Sequence, residues 1–447
     1  MRSFFRKFSL SALVTGIAFA AVLQTAAQTM PVPQADPVTE FEVNGLKVIL
    51  KRRDSAPTFA GGLFFRGGVR NQTAEKAGIE NLALAAATEG GQKFSSQQVR
   101  RELSRTGGSL GGASSRDYGV ISFVSTRESF DRIWDIFADT AINPTFAAAD
   151  IERVRQQMIS GLRETETSPD GALIAAQDRM LYSGHPYAVD PMGTIRTITS
   201  LTAADLKAYH AGLMQTSRML LVIVGDIGPD ELKAKVTASF GKLPVGTYKN
   251  EPLPALDFSK GTVDITPRDV QTNYVQGVFA APALNDPDYY AMRVAMNILQ
   301  QLVFEEVRIK RQLSYAPNAE MSSNAANTAF IYVTATDVDQ AVKVMLEQIE
   351  MMRTRTTSDE FINGMAGQFL THYYLDQQTN AAQVKELAQY ELIGGGWRNS
   401  SDFLKKMREV KPADIRRVAE KYMKNIRFVV VGNPEAVNKE VLLSSAK

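Results

Sequence analysis

Residues 39–51 carry the clearest pattern of apolar and polar positions in the chain. Thr39–Val43 and Leu46–Lys51 alternate apolar and polar side chains on either side of Asn44-Gly45. An Asn-Gly pair between two alternating segments is a strong short-range signal for a β-hairpin. A third apolar segment, Phe59–Phe65, predicts another strand. The folded part of the chain is therefore expected to open on strands.

Segments with the 3.6-residue period of a helix follow in both parts of the chain. In the first part they predict helices at Gly78–Glu89, Ser95–Thr106, Arg127–Ala141 and Ala147–Glu166, with a strand at Tyr118–Ser125. In the second part the pattern predicts strands at Thr262–Thr266 and Thr272–Ala280, a helix from about Asp288 to Lys310, and strands around Asn318–Thr336. Strands in clusters and helices in runs favour an α+β fold, each sheet being rich in antiparallel pairs with helices packed on one face.

The second part of the chain repeats the order of predicted helices and strands found in the first part. Leu201–Asp226 and Val410–Asn433 each contain a capped amphipathic helix, a short polar turn and an aliphatic strand that ends in glycine. The equivalent Asp205 and Asp414 lie 209 residues apart, and the equivalent glycines lie 207 residues apart. Several such matches in one order indicate two homologous halves.

The boundary between the halves is a segment without periodicity. Residues 246–261 are rich in Pro and Gly. We therefore predict an N-terminal half at residues 38–246, a linker at 247–261 and a C-terminal half at 262–447. Upstream matches support the same offset, because residues 144–150 and 356–360 both precede predicted long helices.

Residues 1–27 have the pattern of a secretory signal peptide. Met1–Lys7 is positively charged, Phe8–Leu23 is apolar, and Thr25–Ala27 offers a cleavage site. An uncut signal anchor is the alternative. No later segment approaches the ~20 apolar residues that a membrane-spanning helix needs. We therefore expect a periplasmic protein with no membrane span after cleavage.

Composition excludes several classes of protein. The 447 residues are 44% apolar and 22% charged, as in a folded soluble chain, and the formal net charge of +2 gives no general attraction to nucleic acid. Cysteine is absent, which excludes disulfides, thiolate metal sites and a Cys nucleophile. The three histidines, His185, His210 and His372, are too far apart in sequence for a local zinc motif.

Two features have a structural interpretation that we prefer to a functional one. The Gly-rich segment Gly107–Gly112 precedes a predicted strand rather than a helix and has no Lys-Ser/Thr ending, so it predicts a turn into that strand and not a phosphate cradle. His185 stands beside Pro186 and Tyr187, where a lone His is expected to be packed or to cap a turn.

Motifs spread over nearly the whole mature chain carry a resemblance to a known family. After the Asn-Gly hairpin come Phe64–Asn71, Lys76–Ile79, Gly184–Tyr187 with Gly193, and Arg308–Tyr315. Their order and spacing resemble the pitrilysin/insulinase family of zinc metallopeptidases, in its branch of short subunits with two halves. The resemblance implies that the two halves are arranged as a clamshell.

The chain departs from this family at the metal site. The family requires H-x-x-E-H, and the equivalent positions here are Asn81, Leu84 and Ala85. Leu and Ala have no lone pair for a metal, and no carboxylate remains as general base. The family's further Glu ligand would fall within Met158–Leu162, where this chain has Ser160-Gly161 in the middle. We expect this chain to bind no metal or other cofactor, and we expect zinc in a partner subunit.

Arg308 and Tyr315 are the candidate functional residues. Without the resemblance, Arg308 could be a helix C-terminal cation and Tyr315 a half-buried aromatic of the sheet. The resemblance implies that an Arg and a Tyr at this spacing reach across the chamber to a zinc site. A charged guanidinium and a phenolic O–H can bind a substrate carbonyl and stabilise an oxyanion.

These observations predict a non-catalytic subunit of a heterodimeric zinc peptidase. The partner would be a sibling subunit with an intact H-x-x-E-H motif, and the substrates would be peptides bound in extended form along a sheet edge. A structural or peptide-binding subunit with no role in proteolysis is the main alternative, as in the core proteins of respiratory complexes. A monomeric binding protein for solutes or peptides is a third.

Overall fold

The computed structural model describes residues 37–355, 369, 371 and 373–444. The predicted signal peptide (1–27) and the segment 356–360 lie outside the described residues. Each half of the chain forms one mixed sheet. The six strands of the first sheet are β1 (Val38–Val43), β2 (Leu46–Arg52), β3 (Thr58–Arg66), β4 (Ser109–Ser114), β5 (Tyr118–Thr126) and β6 (Met219–Gly225). The five strands of the second sheet are β7 (Thr262–Pro267), β8 (Asn273–Ala280), β9 (Asn318–Met321), β10 (Thr328–Ala335) and β11 (Arg427–Gly432).

Strand order shows the predicted duplication directly. The first sheet runs β1-β2-β6-β3-β5-β4 and the second β7-β11-β8-β10-β9. Apart from the extra β1, each strand of the first sheet has an equivalent at the same place in the second. One pair in each sheet is parallel, β2 with β6 and β7 with β11, and the other pairs are antiparallel. The predicted α+β fold with two homologous halves is confirmed.

Helices fill the connections between these strands. The helices of the first half are α1 (Ile79–Ala87), α2 (Ser96–Thr106), α3 (Phe130–Ile142), α4 (Ala148–Thr167), α5 (Pro169–Leu181), α6 (Ile195–Ser200), α7 (Ala203–Leu213) and α8 (Pro229–Phe240). Those of the second half whose bounds the structure describes are α9 (Tyr289–Val303), α10 (Val338–Thr354), α11 (Asn380–Ile393), α12 (Arg398–Ser401), α13 (Phe403–Glu409), α14 (Pro412–Tyr422) and α15 (Lys439–Ser444). No helix within the described ranges is long and apolar enough to cross a membrane.

The Asn-Gly hairpin forms as predicted. Asn44 and Gly45 both have positive φ, 48° and 79°, which a type I′ turn requires. The side chain of Asn44 also donates a 2.7 Å hydrogen bond from Nδ2 to the carbonyl of Leu243, beyond α8. The hairpin turn is therefore tied to the end of the first half.

The interpretation of Gly107–Gly112 as a turn holds only for its start, where Gly107 ends α2 with a positive φ of 66°, and is wrong from Ser109 onward. Ser109–Ser114 is strand β4, which pairs with β5 and lies at the edge of the first sheet. A Cβ atom added to Gly112 would lie 2.1 Å from the carbonyl oxygen of Leu84. Glycine is needed there because the backbone of α1 passes close to the strand, and a sequence pattern alone does not show such an approach.

One face of each sheet packs against helices of its own half, as predicted. In the first half, buried side chains of β3 and β5 meet those of α1 and α3. Aromatic rings form much of this layer, including Phe59, Phe123, Phe130, Trp134 and Phe137. In the second half α9, α10 and α14 form the equivalent layer on β8 and β10.

The other face of each sheet is covered by a helix from the opposite half. Helix α11 places Val384, Leu387 and Ala388 against Ile49, Phe64, Leu220, Val222 and Val224 of the first sheet. In return, α5 places Leu173 and Ala176 against Val429 and Val431 of the second sheet. The two halves therefore complete each other's cores.

This exchange predicts that neither half folds alone. The side chains of Ile49, Leu220, Val222 and Val224 have no solvent exposure. Exposing each would cost about 1.5–3 kcal/mol, which together is comparable to the whole stability of a typical domain. Residues 37–246 and 262–447, produced separately, should show no cooperative unfolding by circular dichroism, and co-production should yield a folded complex on size exclusion. A cooperative transition of either half alone would contradict the role given to the exchanged helices.

Candidate functional site

Helix α1 carries the three positions of the degenerate motif. Asn81 and Leu84 are buried, at 7% and 0% exposure, and Ala85 is half-buried. Leu84 belongs to the hydrophobic core of the first half, and Ala85 packs against it. Asn81 donates a hydrogen bond from Nδ2 to the Sδ atom of Met192 at 2.9 Å. At the three positions of the degenerate motif, the side chains therefore make apolar packing contacts and this one polar contact.

Helix α4 offers no ligand to complete such a site. Met158 and Ile159 are buried, whereas Ser160 and Gly161 are exposed. Across the described part of the chain, no group of three or more His, Cys, Asp or Glu side chains could hold a metal ion. The residues present therefore do not fit zinc, and we derive no chemical step through a metal on this chain.

A buried carboxylate stands next to the motif, and the sequence analysis missed it. Glu80 is fully buried and accepts hydrogen bonds from the hydroxyls of Tyr209 and Ser114, at 2.5 and 3.0 Å. Arg218 places Nη2 3.8 Å from the same carboxylate. Burial raises the pKa of Glu80, against the opposing effects of Tyr209, Arg218 and Ser114. The available signal was an acidic residue inside an otherwise apolar helical segment.

Glu80 joins three elements of the first half. Its hydrogen bonds hold α1 to α7 through Tyr209 and to β4 through Ser114. A single carboxylate that is already satisfied by protein donors cannot serve as a metal site. We therefore assign Glu80 a structural role.

Strand β4 forms an open edge beside α1. Within the described residues it pairs only with β5, and its side chains alternate between exposed and half-buried. A cleft of about 300 Å³ lies beside this edge, between the sheet and the first turns of α11. Its walls are mainly apolar and include Ala60, Phe64, Ala113, Tyr118, Val120 and Val384. An unpaired strand next to an apolar cleft is a surface on which an extended peptide can bind.

Arg308 and Tyr315 lie together on the second half. Helix α9 continues into a π-helical segment, Phe304–Lys310, and the chain then turns at Gln312, which has a positive φ of 54°. The guanidinium carbon of Arg308 lies 4.0 Å from the centre of the Tyr315 ring. Arg308 was predicted in the last turn of a regular helix, but the turn is π-helical, a form often found at functional sites.

The stacking leaves the polar atoms of both side chains available. The guanidinium carbon of Arg308 also lies 5.0 Å from the centre of the Phe304 ring, so the guanidinium is near two aromatic rings. Neither Arg308 nor Tyr315 makes a hydrogen bond to any residue the structure describes. Tyr315 is 79% exposed. Arg308 is half-buried, so the pair presents donors to solvent with no described protein acceptor.

The structure does not join this pair to the degenerate motif. No hydrogen bond or ring contact among the described residues links Arg308 or Tyr315 to Asn81, Leu84 or Ala85. The two described histidines have structural contacts. His185 accepts a hydrogen bond at Nδ1 from the Tyr187 backbone, as predicted for a capping residue, and the Nε2 atom of His210 lies 2.8 Å from the carbonyl of Ala141.

Two family models match the chain. The model of the insulinase family, peptidase family M16, matches residues 47–194, and the model of the peptidase M16 inactive domain matches residues 200–389. An uncharacterized zinc protease of Rickettsia felis is 20% identical over 398 residues, covering 88% of this chain and 96% of the relative. The beta subunit of the mitochondrial-processing peptidase of Saccharomyces cerevisiae is 21% identical over 423 residues, covering 88% of this chain and 90% of that subunit.

Solved structures show the same fold. A peptidase M16 inactive domain from Pseudomonas fluorescens superposes with a TM-score of 0.81 at 20% identity, covering 89% of this chain and 98% of the other. A protease from Helicobacter pylori gives a TM-score of 0.80 at 17% identity, covering 89% and 99%.

The site geometry predicts that the isolated chain binds no zinc tightly. Leu84 is buried without polar partners, and the 158–162 segment of α4 presents no carboxylate, so a zinc ion would lack ligands. Elemental analysis of the purified chain, after dialysis against a weak chelator, should give far less than one zinc per chain. About one tightly bound zinc per chain would contradict this account of the motif.

Proposed function

The chain belongs to the insulinase family of peptidases, family M16, and from that premise we propose that it is the non-catalytic subunit of a heterodimeric zinc metallopeptidase. The partner would be a sibling subunit with an intact H-x-x-E-H motif, which would supply zinc and the general base. This chain would supply Arg308 and Tyr315. The observation that carries the proposal is the contact between half-buried Arg308 and exposed Tyr315, whose hydrogen-bond donors have no described protein partner.

The chemistry of the pair suits recognition of a peptide at the point of cleavage. An Arg guanidinium offers five N–H donors in a fixed plane, and a phenol offers one O–H donor. Donors that are held in place before the substrate binds stabilise negative charge as it develops on a carbonyl oxygen. Stacking on Tyr315 restricts Arg308, so less entropy is lost when the substrate binds.

The degenerate first half supports a division of labour between two chains. Asn81, Leu84 and Ala85 cannot hold a metal, so this chain alone has no means of activating water for hydrolysis. Its second half keeps donors that bind and orient a substrate. A relative of this chain carries the name of a peptidase subunit, which fits a function that needs two chains.

Extended peptides are the proposed substrates. The open edge of β4 and the apolar cleft beside it can take a peptide that adds one strand to the sheet, with alternate side chains directed into the cleft. These same features favour the second candidate function, a peptide-binding subunit that takes no part in cleavage. The two candidates differ in whether Arg308 and Tyr315 affect turnover.

The periplasm is the proposed location. The charged start, apolar segment and small-residue site within residues 1–27 support export. A chain without cysteine needs no disulfide formation after export. Fractionation of cells that produce the full chain, with N-terminal sequencing of the mature protein, would test this part of the proposal.

Assembly with a sibling subunit is the first consequence. Co-production of this chain with a sibling that carries an intact motif should give a heterodimer on size exclusion and hydrolysis of a fluorogenic peptide. Neither chain alone should reach that rate, because each lacks part of the site. Equal turnover by the sibling alone would leave this chain without a role in catalysis.

The second consequence concerns the two donors. Tyr315→Phe removes the O–H and keeps the ring on which Arg308 stacks, and loss of one oxyanion donor typically lowers turnover by about 100-fold or more. Arg308→Lys keeps the charge and loses the planar fork, so it should also lower kcat. Turnover of the reconstituted pair is the measurement, with melting temperature and complex formation recorded for each variant.

Matched substitutions at exposed sites provide the controls. Tyr374→Phe changes another exposed tyrosine, which is 48% exposed, and Arg416→Lys changes a surface arginine paired with Glu420. Both should keep wild-type turnover. Wild-type turnover from the Tyr315→Phe pair would favour the peptide-binding or structural subunit instead.

A further inference from the structure

Two equivalent hairpin turns, one from each half of the chain, lie against each other at the interface between the halves. In the first half, Ser115–Asp117 connects β4 to β5, and in the second half Ser322–Asn327 connects β9 to β10. These hairpins occupy the same end of their respective sheets. Strand β4 touches α1 at Leu84, and β9 begins two residues after Ala316, which follows Tyr315. Each hairpin therefore includes a strand that adjoins the element carrying one of the two candidate sites.

Asp117 makes the central contacts of this junction. It is only 4% exposed, and its Oδ2 accepts a 3.0 Å hydrogen bond from the backbone N–H of Ala325. Its Oδ1 accepts hydrogen bonds from the hydroxyl of Tyr187 at 2.6 Å and from Nη2 of Arg70 at 3.1 Å. A carboxylate of the first half thus binds the backbone of the second half's hairpin turn.

Tyr187 provides a second link to the same turn. It has no solvent exposure, and its hydroxyl accepts a 3.3 Å hydrogen bond from the backbone N–H of Ala326 while it donates to Asp117. Burial, followed by the charge of Asp117, raises the pKa of the Tyr187 phenol, so it remains a donor. Its ring packs with Val69 and Val278 in a small apolar cluster.

Both exchanged helices reach this junction as well. Arg116, adjacent to Asp117, donates hydrogen bonds to the carbonyl of Tyr187 and to the carboxylate of Asp178 on α5, both at 2.6 Å. Gln389 on α11 donates a 2.8 Å hydrogen bond from Nε2 to the carbonyl of Ser323 in the β9–β10 turn. The turn is therefore held by the first half and by the helix that covers the first sheet.

The structure assigns Asp117 the role of a positioning residue. Through Tyr187 and the backbone of Ala325 and Ala326, it holds the β9–β10 turn against the first half. Tyr315 lies three residues before β9, the first strand of this hairpin, so we infer that its position depends on how the hairpin is held. This inference rests on the proposed function, because it concerns how Arg308 and Tyr315 are held in place for a partner's site. Asp117 itself touches no substrate.

Hydrogen exchange on the chain alone tests the junction without any partner. Tyr187→Phe removes the O–H that binds Asp117 and the oxygen that accepts from Ala326. Loss of one or two buried hydrogen bonds should accelerate amide exchange in residues 315–327 by about tenfold. Asp117→Asn, which also leaves Arg70 without its anion, should accelerate the same segment further.

Tyr209→Phe is the matched control. It too removes a phenol that donates to a buried carboxylate of the first half, that of Glu80, but it lies away from the β9–β10 turn. Exchange in residues 315–327 should stay at the wild-type rate in this variant. Equal exchange in Tyr187→Phe, Tyr209→Phe and the wild type would overturn the positioning role, and so would acceleration of the segment by the control alone.

Kinetics of the reconstituted pair separates positioning from general stability. Misplaced donors should lower kcat about tenfold in Tyr187→Phe with KM nearly unchanged, because the loss falls on the transition state. Impaired turnover in Tyr315→Phe together with wild-type kinetics and exchange in Tyr187→Phe would reject the positioning role alone. Wild-type turnover in Tyr315→Phe would reject the proposed function, and faster exchange in Tyr187→Phe would then still support the junction itself.

Discussion

The exchange of two helices is the constraint on which the rest of this structure depends. A sheet that is apolar on both faces needs two covering layers. Each half supplies one layer for its own sheet and receives the other from the opposite half, through α11 and α5. The relative placement of the halves is therefore set by core packing, which tolerates little change. The hydrogen bonds around Asp117 refine an arrangement that hydrophobic burial already imposes.

This constraint explains which parts of the fold the sequence could predict. Strands β1 and β2 were predictable because an Asn-Gly turn and period-2 alternation act over a few neighbouring residues. Helices α3 and α4 were predictable from their period. Periodicity tells which face of a helix is buried but not which sheet covers it, so the exchange of α5 and α11 could not be read from the chain. Strand β4 was missed because its two glycines carry no apolar pattern, and the close approach of Gly112 to Leu84 is visible only in the fold.

The residues of the candidate site also divide into those that the sequence could identify and those that only the structure shows. The missing ligands at Asn81, Leu84 and Ala85 are a matter of residue type at known spacing, so the sequence shows them without coordinates. The roles of Arg308 and Tyr315 came from the family resemblance, and only the structure shows the stack between them. Glu80 was missed because its partners Tyr209 and Ser114 lie far away in sequence and meet it only in the fold.

The degenerate motif and the Arg308–Tyr315 pair differ in burial and in what they contribute to stability. Leu84 has no exposure, so a glutamate there would bring a charge into the core, which costs several kcal/mol unless it is paired. The degenerate motif has thus become part of what stabilises the first half. Arg308 and Tyr315 show the reverse, since a cation–π contact on a tyrosine as exposed as Tyr315 contributes only about 0.5–1 kcal/mol to stability. Their side chains contribute little to the core, and their N–H and O–H groups have no hydrogen-bond acceptor among the described residues. Binding a ligand is the role for which that geometry is suited.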